Sequence, residues 1–264
     1  MKVNNNPYFS KVIFKSYFMK KTRNKFNVCV SILLILLLPL VAVCQSFKGV
    51  FEEVVKSDAS TSTNRILLDD DYFVWTAFTS NPASFTHTMG GYISTVGNKF
   101  QVKLEFNSII DKDSIKVLNG TITLYENKLD ITIDKFKTIH LLKVEPKKQE
   151  LEGKFLMAGR VTDQGESRRR LDVPRKTMKF LIDDHFQWIA FNTETFEFSG
   201  TGGGTYIADK SGAYIEKIEF FSKNSTRVGA ILPFSYNLKD KDWFHQGKSS
   251  AGEPMHEIWS RRIP

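Results

Sequence analysis

The stretch DDYFVWTAF at residues 70–78 recurs as DDHFQWIAF at residues 183–191, with six of nine positions identical. Two further pairs of blocks follow with the same order and spacing: GGYI at 90–93 with GGTYI at 203–207, and KLEF at 103–106 with KIEF at 217–220. Self-similarity at a fixed spacing marks repeated structural units. We therefore predict two homologous domains, at residues 45–148 and 149–264, joined around the charged stretch at 145–150.

Both units have a dominant period of two, with frequent Phe, Ile, Val, Thr and Tyr and turn signals every 8 to 12 residues, which predicts strands. In the second unit the expected strands lie near 153–160, 177–182, 185–191, 203–207, 213–221, 227–235, 242–246 and 255–261. The fold class is all-β. Eight short meandering strands favour a closed antiparallel barrel, because closure removes exposed edges and leaves room for side chains or one small ligand. The run Gly202-Gly203-Gly204 is expected to form a bend or bulge.

The net charge of +8 is concentrated at the N-terminus, where residues 1–44 contain seven Lys and Arg and no Asp or Glu. The remaining chain carries 30 basic and 29 acidic residues, so it lacks the cationic excess that a nucleic-acid partner requires. A basic stretch followed by sixteen uncharged residues at 28–43 predicts a secretory signal. Translation could also start at Met19. We expect an exported protein, periplasmic or secreted.

Cys44 separates two routes of export. Cleavage after Cys44 would leave Gln45 as the mature N-terminus, whereas the sequence VAVC at 41–44 resembles a bacterial lipobox that would make an outer-membrane lipoprotein. Val43 fits a lipobox poorly, so cleavage is favoured. Because Cys29 and Cys44 are the only cysteines, the cleaved protein would contain no disulfide, Cys-ligated metal or Cys nucleophile. Membrane contact would come only from the signal peptide or from a lipid on Cys44.

Several motifs of the second unit together resemble the lipocalin-like domain of bacterial membrane or secreted proteins. They are GKF at 153–155, FQW at 186–188, GGGTY at 202–206, EKIEF at 216–220, WFH at 243–245 and HEIW at 256–259. The first unit keeps the early blocks and loses the last two. The resemblance implies two tandem lipocalin-like barrels with an internal pocket, and it implies no particular chemistry.

Comparing the two copies singles out Glu216. It shares a strand face with Tyr214, Ile218 and Phe220, and the first unit has Val102 at the equivalent position. A carboxylate on an apolar barrel face carries a desolvation cost, so it needs a partner, a raised pKa or a ligand. A less secure part of the alignment sets Trp243 and His245 of the second unit over Ile131 and Ile133 of the first.

These replacements predict a polar pocket in the second barrel, with His245, Tyr206 and Glu216 as candidate acid/base residues. Trp188 and Trp243 would offer flat faces to a sugar ring. The alternative is structural: Glu216 and His245 could pair with each other or with Arg227 and only satisfy buried polarity.

The remaining histidines and arginines carry weaker signals. His185 and His256 are further candidate ligand contacts, although an exposed strand histidine is the simpler interpretation of His185. His256 and Glu257 point to opposite faces of one strand, so only one can line a pocket. No spacing predicts a metal site or a cofactor. The run Arg168-Arg169-Arg170 is typical of solvated surface, yet it could guide a polyanion to the barrel mouth.

Three functions remain open on these observations. The leading one is an exported protein that binds a small polar ligand, an oligosaccharide above all, in the second barrel. The second is a metal-independent dehydratase or lyase that acts on uronic-acid sugars by β-elimination, with His245, Tyr206 and Arg227 as base, proton donor and charge neutraliser. The third is a structural envelope module. The oligomeric state is not predictable from these features.

Overall fold

The computed structural model describes residues 47–249 and 252–263. The predicted signal peptide, the alternative start at Met19 and the fate of Cys44 concern residues 1–46 and lie outside the described residues. Within the described part of the chain, no helix is long and apolar enough to cross a lipid bilayer.

The first barrel is a closed antiparallel meander of eight strands in sequence order. Its strands are β1 (Gly49–Lys56), β2 (Thr61–Leu68), β3 (Tyr72–Asn81), β4 (Ala83–Val96), β5 (Lys99–Asn107), β6 (Val117–Tyr125), β7 (Lys128–Ile133) and β8 (Ile139–Lys143). A short helix, α1 (Ile110–Asp113), connects β5 to β6. The barrel closes where β1 pairs with β8, with Phe51 opposite Lys143. Exposed and buried residues alternate along β7, as expected when one strand face lines the interior.

The second barrel repeats this meander with one added strand. Its strands are β9 (Gly153–Thr162), β10 (Gly165–Arg168), β11 (Arg175–Ile182), β12 (His185–Asn192), β13 (Phe198–Ala208), β14 (Ala213–Phe221), β15 (Ile231–Lys239), β16 (Asp242–Lys248) and β17 (Pro254–Arg261). The barrel closes through pairing of β9 with both β11 and β17, and β10 forms a hairpin with the end of β9. The predicted all-β fold with two barrels is confirmed.

Two details of the second barrel differ from the sequence-based prediction. The strand expected over 227–235 begins only at Ile231, because Ser225–Arg227 form a 3₁₀ turn in which the Thr226 amide donates to the capping Asn224 side chain. The strand β10 was not expected, since its sequence GESR is fully exposed and lacks the alternation that marks a half-buried strand.

The paired glycines of the repeat mark the same bulge in both barrels. The register between β4 and β5 shifts at Gly90/Gly91, and the register between β13 and β14 shifts at Gly203/Gly204. A Cβ atom on Gly204 would lie 2.0 Å from the Lys217 carbonyl oxygen, so no larger residue fits there. The predicted bulge at the glycine run is therefore confirmed, and its cause is close approach of the neighbouring backbone.

The two barrels pack against each other through outward-facing apolar residues of equivalent strands. A buried cluster joins residues of β1, β2, β3 and β5 to residues of β9, β11 and β12. Its ring contacts are pseudo-symmetric: Phe78 packs on Phe220 at 4.8 Å, and their repeat equivalents Phe191 and Phe106 pack at 5.0 Å. Such self-complementary pairing is the geometry of a two-fold dimer, here built within one chain.

Polar contacts fix the relative orientation of the barrels. Gln187 is buried, and its amide bonds the hydroxyls of Thr76 at 2.9 Å and Thr88 at 3.1 Å across the interface. At the edge of the interface, Arg65 binds Glu219 at 2.5 Å, while Arg262 holds Glu105 through two hydrogen bonds. Because the first barrel covers this face of the second, polar residues on it are buried rather than solvated.

Candidate functional site

The second barrel contains a cavity of about 210 Å³ near the end marked by the β16–β17 connection. Four ionisable side chains line it: Lys179, Glu216, His245 and Glu257. The remaining wall is mostly aromatic and aliphatic, formed by Trp188, Ile218, Phe221, Leu232, Phe234, Met255 and Trp259, with Thr177 and Ser249. A mainly apolar concave site with a few convergent polar groups is the usual form of a small-molecule site.

Two of the ionisable side chains that line the cavity form a buried ion pair. The Lys179 ammonium is 2.6 Å from Glu216 Oε1, and their side chains are only 7% and 5% exposed. Tyr214 donates its hydroxyl to the same carboxylate oxygen at 2.8 Å. Burial, followed by the Glu216 charge, raises the pKa of Tyr214 well above its usual value, so Tyr214 keeps its proton.

Aromatic rings surround the Lys179 ammonium and supply further favourable electrostatics. Its nitrogen lies 5.1 to 5.9 Å from the centroids of five rings, those of Phe186, Tyr214, Phe234, Trp243 and Trp259. Cation–π attraction is strongest where the cation is desolvated, as it is here. Glu216 therefore has a partner, and that partner is Lys179 rather than His245 or Arg227.

His245 is the unsatisfied group of the cavity. Its side chain is 0% exposed, and neither ring nitrogen has a hydrogen-bond partner among the described residues. Nδ1 lies 3.7 Å from Glu257 Oε2, which is longer than a hydrogen bond. Burial and, secondarily, the Lys179 charge lower the pKa of His245 to about 4, so the imidazole is neutral at pH 7. A neutral imidazole offers one donor and one acceptor to a ligand.

Glu257 completes the set beside His245. Its carboxylate accepts a hydrogen bond from Trp259 Nε1 at 3.0 Å. Although burial opposes ionisation, the neighbouring His245, Lys179 and Trp259 groups lower the pKa of Glu257, which keeps it a carboxylate at pH 7. The hydrogen bond thus fixes the Glu257 carboxylate and the Trp259 ring relative to each other.

Cross-strand register identifies the first-barrel equivalents of these four residues. Lys179, Glu216, His245 and Glu257 take the places of Ile66, Val102, Ile131 and Ile139, all buried in one apolar core. Register also corrects the alignment over β16, because Trp243 and His245 correspond to Leu129 and Ile131, two residues earlier than the sequence comparison placed them. The second barrel has exchanged aliphatic lining for ionisable groups at four positions.

The structure brings only some of the predicted site residues to the cavity. Glu216, His245 and Trp188 line it. Trp243 is fully buried behind His245, with ring centroids 4.9 Å apart, and is therefore a packing residue of the wall. Tyr206 is buried too, but its hydroxyl donates to the Leu151 carbonyl at 2.6 Å, so this phenol has a structural partner.

The other three predicted contacts lie away from the cavity. Arg227 is in the 3₁₀ turn and does not line the cavity, and His256 makes an edge-to-face contact with Phe244 on the outer face of β17. His185 is 5% exposed and lies at the interface between the barrels, with Nδ1 2.8 Å from Asp184 Oδ1. The expectation that His185 is an exposed strand histidine is wrong, because the first barrel covers this strand face.

Sequence reasoning missed Lys179 and Glu257. Extending the repeat alignment four residues before Asp70 and Asp183 sets Lys179 over Ile66, which is the signal that would have found it. Glu257 was recognised only as one of two alternatives on the last strand, and the structure places it on the inner face. Among the described residues, no group of three His, Cys, Asp or Glu side chains could hold a metal ion.

The comparison with models of protein families gives a match within the second barrel. A comparison with curated proteins finds no match for the chain. A family model described as "Domain of unknown function (DUF4488)" matches residues 150–263. A DUF4488 domain is therefore found over the strands that enclose the cavity.

Proposed function

We propose that this protein binds a small hydroxylated ligand, the terminal ring of an oligosaccharide, in the cavity of its second barrel. The observation that carries this proposal is His245, whose two ring nitrogens are buried in a cavity wall with no hydrogen-bond partner in the part of the chain that the structure describes. Leaving a buried polar group unpaired costs about 1–3 kcal/mol, and a ligand hydroxyl would remove that cost.

The size of the cavity limits what can enter. A volume of about 210 Å³ is below the ~300–1,000 Å³ of sites that enclose whole drug-sized ligands. One sugar ring with its substituents suits this space, and the rest of a longer chain would extend outside the barrel. The cavity would thus recognise the end of a saccharide chain.

The chemistry of the wall suits a sugar ring. Trp188 and Trp259 present aromatic faces on which the apolar C–H side of a pyranose can pack. Glu257 and His245 can accept hydrogen bonds from ring hydroxyls. The Lys179–Glu216 pair supplies fixed charges deeper in the wall. A purely apolar ligand would leave both His245 ring nitrogens unpaired, which disfavours the chain of a fatty acid.

The placement of the ligand in a barrel interior also fits the resemblance of the second unit to lipocalin-like domains. In this proposal the first barrel is a support with an apolar core, and the N-terminal segment directs the chain out of the cytoplasm. Binding is preferred over β-elimination because, of the residues assigned to that reaction, only His245 lines the cavity. The Tyr206 hydroxyl already donates to the Leu151 carbonyl, and Arg227 lies in the 3₁₀ turn outside the cavity.

Isothermal titration with a panel of neutral and acidic tetrasaccharides tests the proposal. We expect one site per chain and about tenfold weaker binding in Trp188→Ala, since an aromatic stacking contact contributes on the order of 1.5 kcal/mol. Trp75→Ala removes the equivalent tryptophan of the first barrel and is the matched control. The proposal fails if no saccharide binds, or if Trp75→Ala weakens binding as much as Trp188→Ala.

A further inference from the structure

Three arginines gather near Glu257, one of the residues that line the cavity. Arg160 lies opposite Glu257 in the pairing of β9 with β17, and directly opposed residues share a sheet face. Arg175 begins β11 two residues before Thr177, so its side chain starts on the face that Thr177 and Lys179 present to the cavity. Arg169 lines a groove together with Arg160. We call Arg160, Arg169 and Arg175 the rim arginines.

The Arg169 guanidinium is near enough to Arg160 and Arg175 to be repelled by both. Burial lowers the pKa of Arg169, and the positive charges of Arg160 and Arg175 lower it further, while the Glu257 carboxylate acts in the opposite direction. Like charges gathered in this way raise the free energy of the unliganded protein. An anion placed between them would relieve that repulsion.

The rim arginines have no ion-pair partner among the residues that the structure describes, in contrast to their neighbours in sequence. Arg168 binds Glu166 at 2.6 Å and Asp242 at 2.5 Å. Arg170 binds Asp172 at 2.7 Å. The basic run at 168–170 therefore divides into two arginines that are neutralised locally and one, Arg169, whose charge is available to a ligand.

The charges around the cavity add up to a positive entrance. Lys179 and Glu216 cancel as an ion pair, and His245 is neutral at pH 7. Glu257 contributes one negative charge inside, against the three positive charges of the rim. The positive excess lies with the three arginines near Glu257, and the hydroxyl acceptors His245 and Glu257 line the cavity, so a suitable ligand carries its negative charge at one end of a hydroxylated ring.

We propose that the rim arginines bind the carboxylate or sulfate group of an acidic saccharide whose ring occupies the cavity. This inference rests on the proposed function and names the substrate class of the same site. Guanidinium groups suit either anion because their forked N–H donors match two oxygen atoms at once.

The test is isothermal titration of the full chain with three probes: tetragalacturonic acid, its fully methyl-esterified form, and a sulfated tetrasaccharide prepared from carrageenan. Esterification removes the charge and keeps the ring. We expect the acid or the sulfated chain to bind at least about tenfold more tightly than the ester, which is the size of one charge-assisted hydrogen bond. Arg169→Gln should weaken binding of the anionic probe by a similar factor and leave binding of the ester unchanged.

Arg170→Gln is the matched control, because it removes the same formal charge one residue away from a side chain that Asp172 already neutralises. Equal affinity for all probes, unaffected by Arg169→Gln, would overturn the role of the rim arginines and leave saccharide binding intact. Equal losses of affinity in Arg169→Gln and Arg170→Gln would also overturn it, since they would indicate attraction by the overall positive charge of the surface and not a contact with Arg169. If none of the probes binds, both this inference and the proposed function are wrong.

Discussion

Lys179 and Glu216 can be replaced by their first-barrel counterparts singly or together. The free energy of unfolding of these variants should show how much stability is lost when one charge of the buried pair is removed and how much when both are removed. Lys179→Ile leaves the Glu216 carboxylate with only the Tyr214 hydroxyl, in a position where both members of the pair are less than a tenth exposed. Removing one partner of a buried ion pair costs about 3–5 kcal/mol. Glu216→Val should cost a similar amount, because it leaves an ammonium group among aromatic rings.

The double variant Lys179→Ile/Glu216→Val should be far less destabilised than the sum of its parts. Replacing a buried pair by apolar residues of similar volume is often neutral or stabilising by about 1–4 kcal/mol. The first barrel already packs Ile66 and Val102 at these positions with 0% exposure. We therefore expect a coupling energy of at least about 3 kcal/mol, together with loss of saccharide binding in the stable double variant.

Urea unfolding followed by tryptophan fluorescence measures these free energies, since three of the four tryptophans lie in the second barrel. The exposed pair Arg170–Asp172 provides a control cycle in which no coupling should be measurable. Single variants that each cost less than about 1 kcal/mol, with additive effects in the double variant, would refute the conclusion that this pair is desolvated and mutually dependent.

Three further predictions concern stability. Because the pKa of His245 is lowered in the folded protein, the unfolded chain binds a proton more readily, and the free energy of unfolding should fall by about 3 kcal/mol as the pH drops from 6.5 to 4. In acid unfolding curves, His245→Gln should remove that loss, whereas the control His140→Gln, at an exposed histidine, should not. Gln187→Leu removes three buried hydrogen bonds, to the hydroxyls of Thr76, Thr88 and Thr201, and should cost about 2–3 kcal/mol in urea unfolding, and a cost near zero would contradict the buried network. Gly204→Ala forces a Cβ against the Lys217 carbonyl and should lower the melting temperature by about 6–12 °C, whereas an unchanged value would argue against the bulge.

The repeat explains why the architecture was predictable. Identical residues such as Trp75 and Trp188, and the paired glycines, fall at positions where each barrel needs the same inward ring or the same bulge. The local sequence pattern determines these features, so they can be recognised in both repeats. Strand β10 escaped prediction because all four of its residues are exposed, which leaves no hydrophobic period that would mark a strand.

The candidate site was predictable only where the two copies could be compared securely. Glu216 stood out because it replaces Val102 within a conspicuous block. His185 was misjudged because its burial depends on the other barrel, a contact that no period within one strand reveals. Tyr206 was assigned a chemical role because the Leu151 carbonyl that engages its hydroxyl is distant in sequence.

The central claim is that ionisable residues in the second barrel, and not the apolar core of the first, form the binding site, and ¹⁵N NMR of the imidazole groups tests it most directly. The chain has five histidines, which makes the ring signals assignable by substitution. We predict that His245 stays neutral at pH 6, and that addition of tetragalacturonic acid shifts one of its ring nitrogens while the signals of His140 stay unchanged. A His245 that is protonated at pH 6, or whose ring signals do not respond when the saccharide binds, would contradict the account.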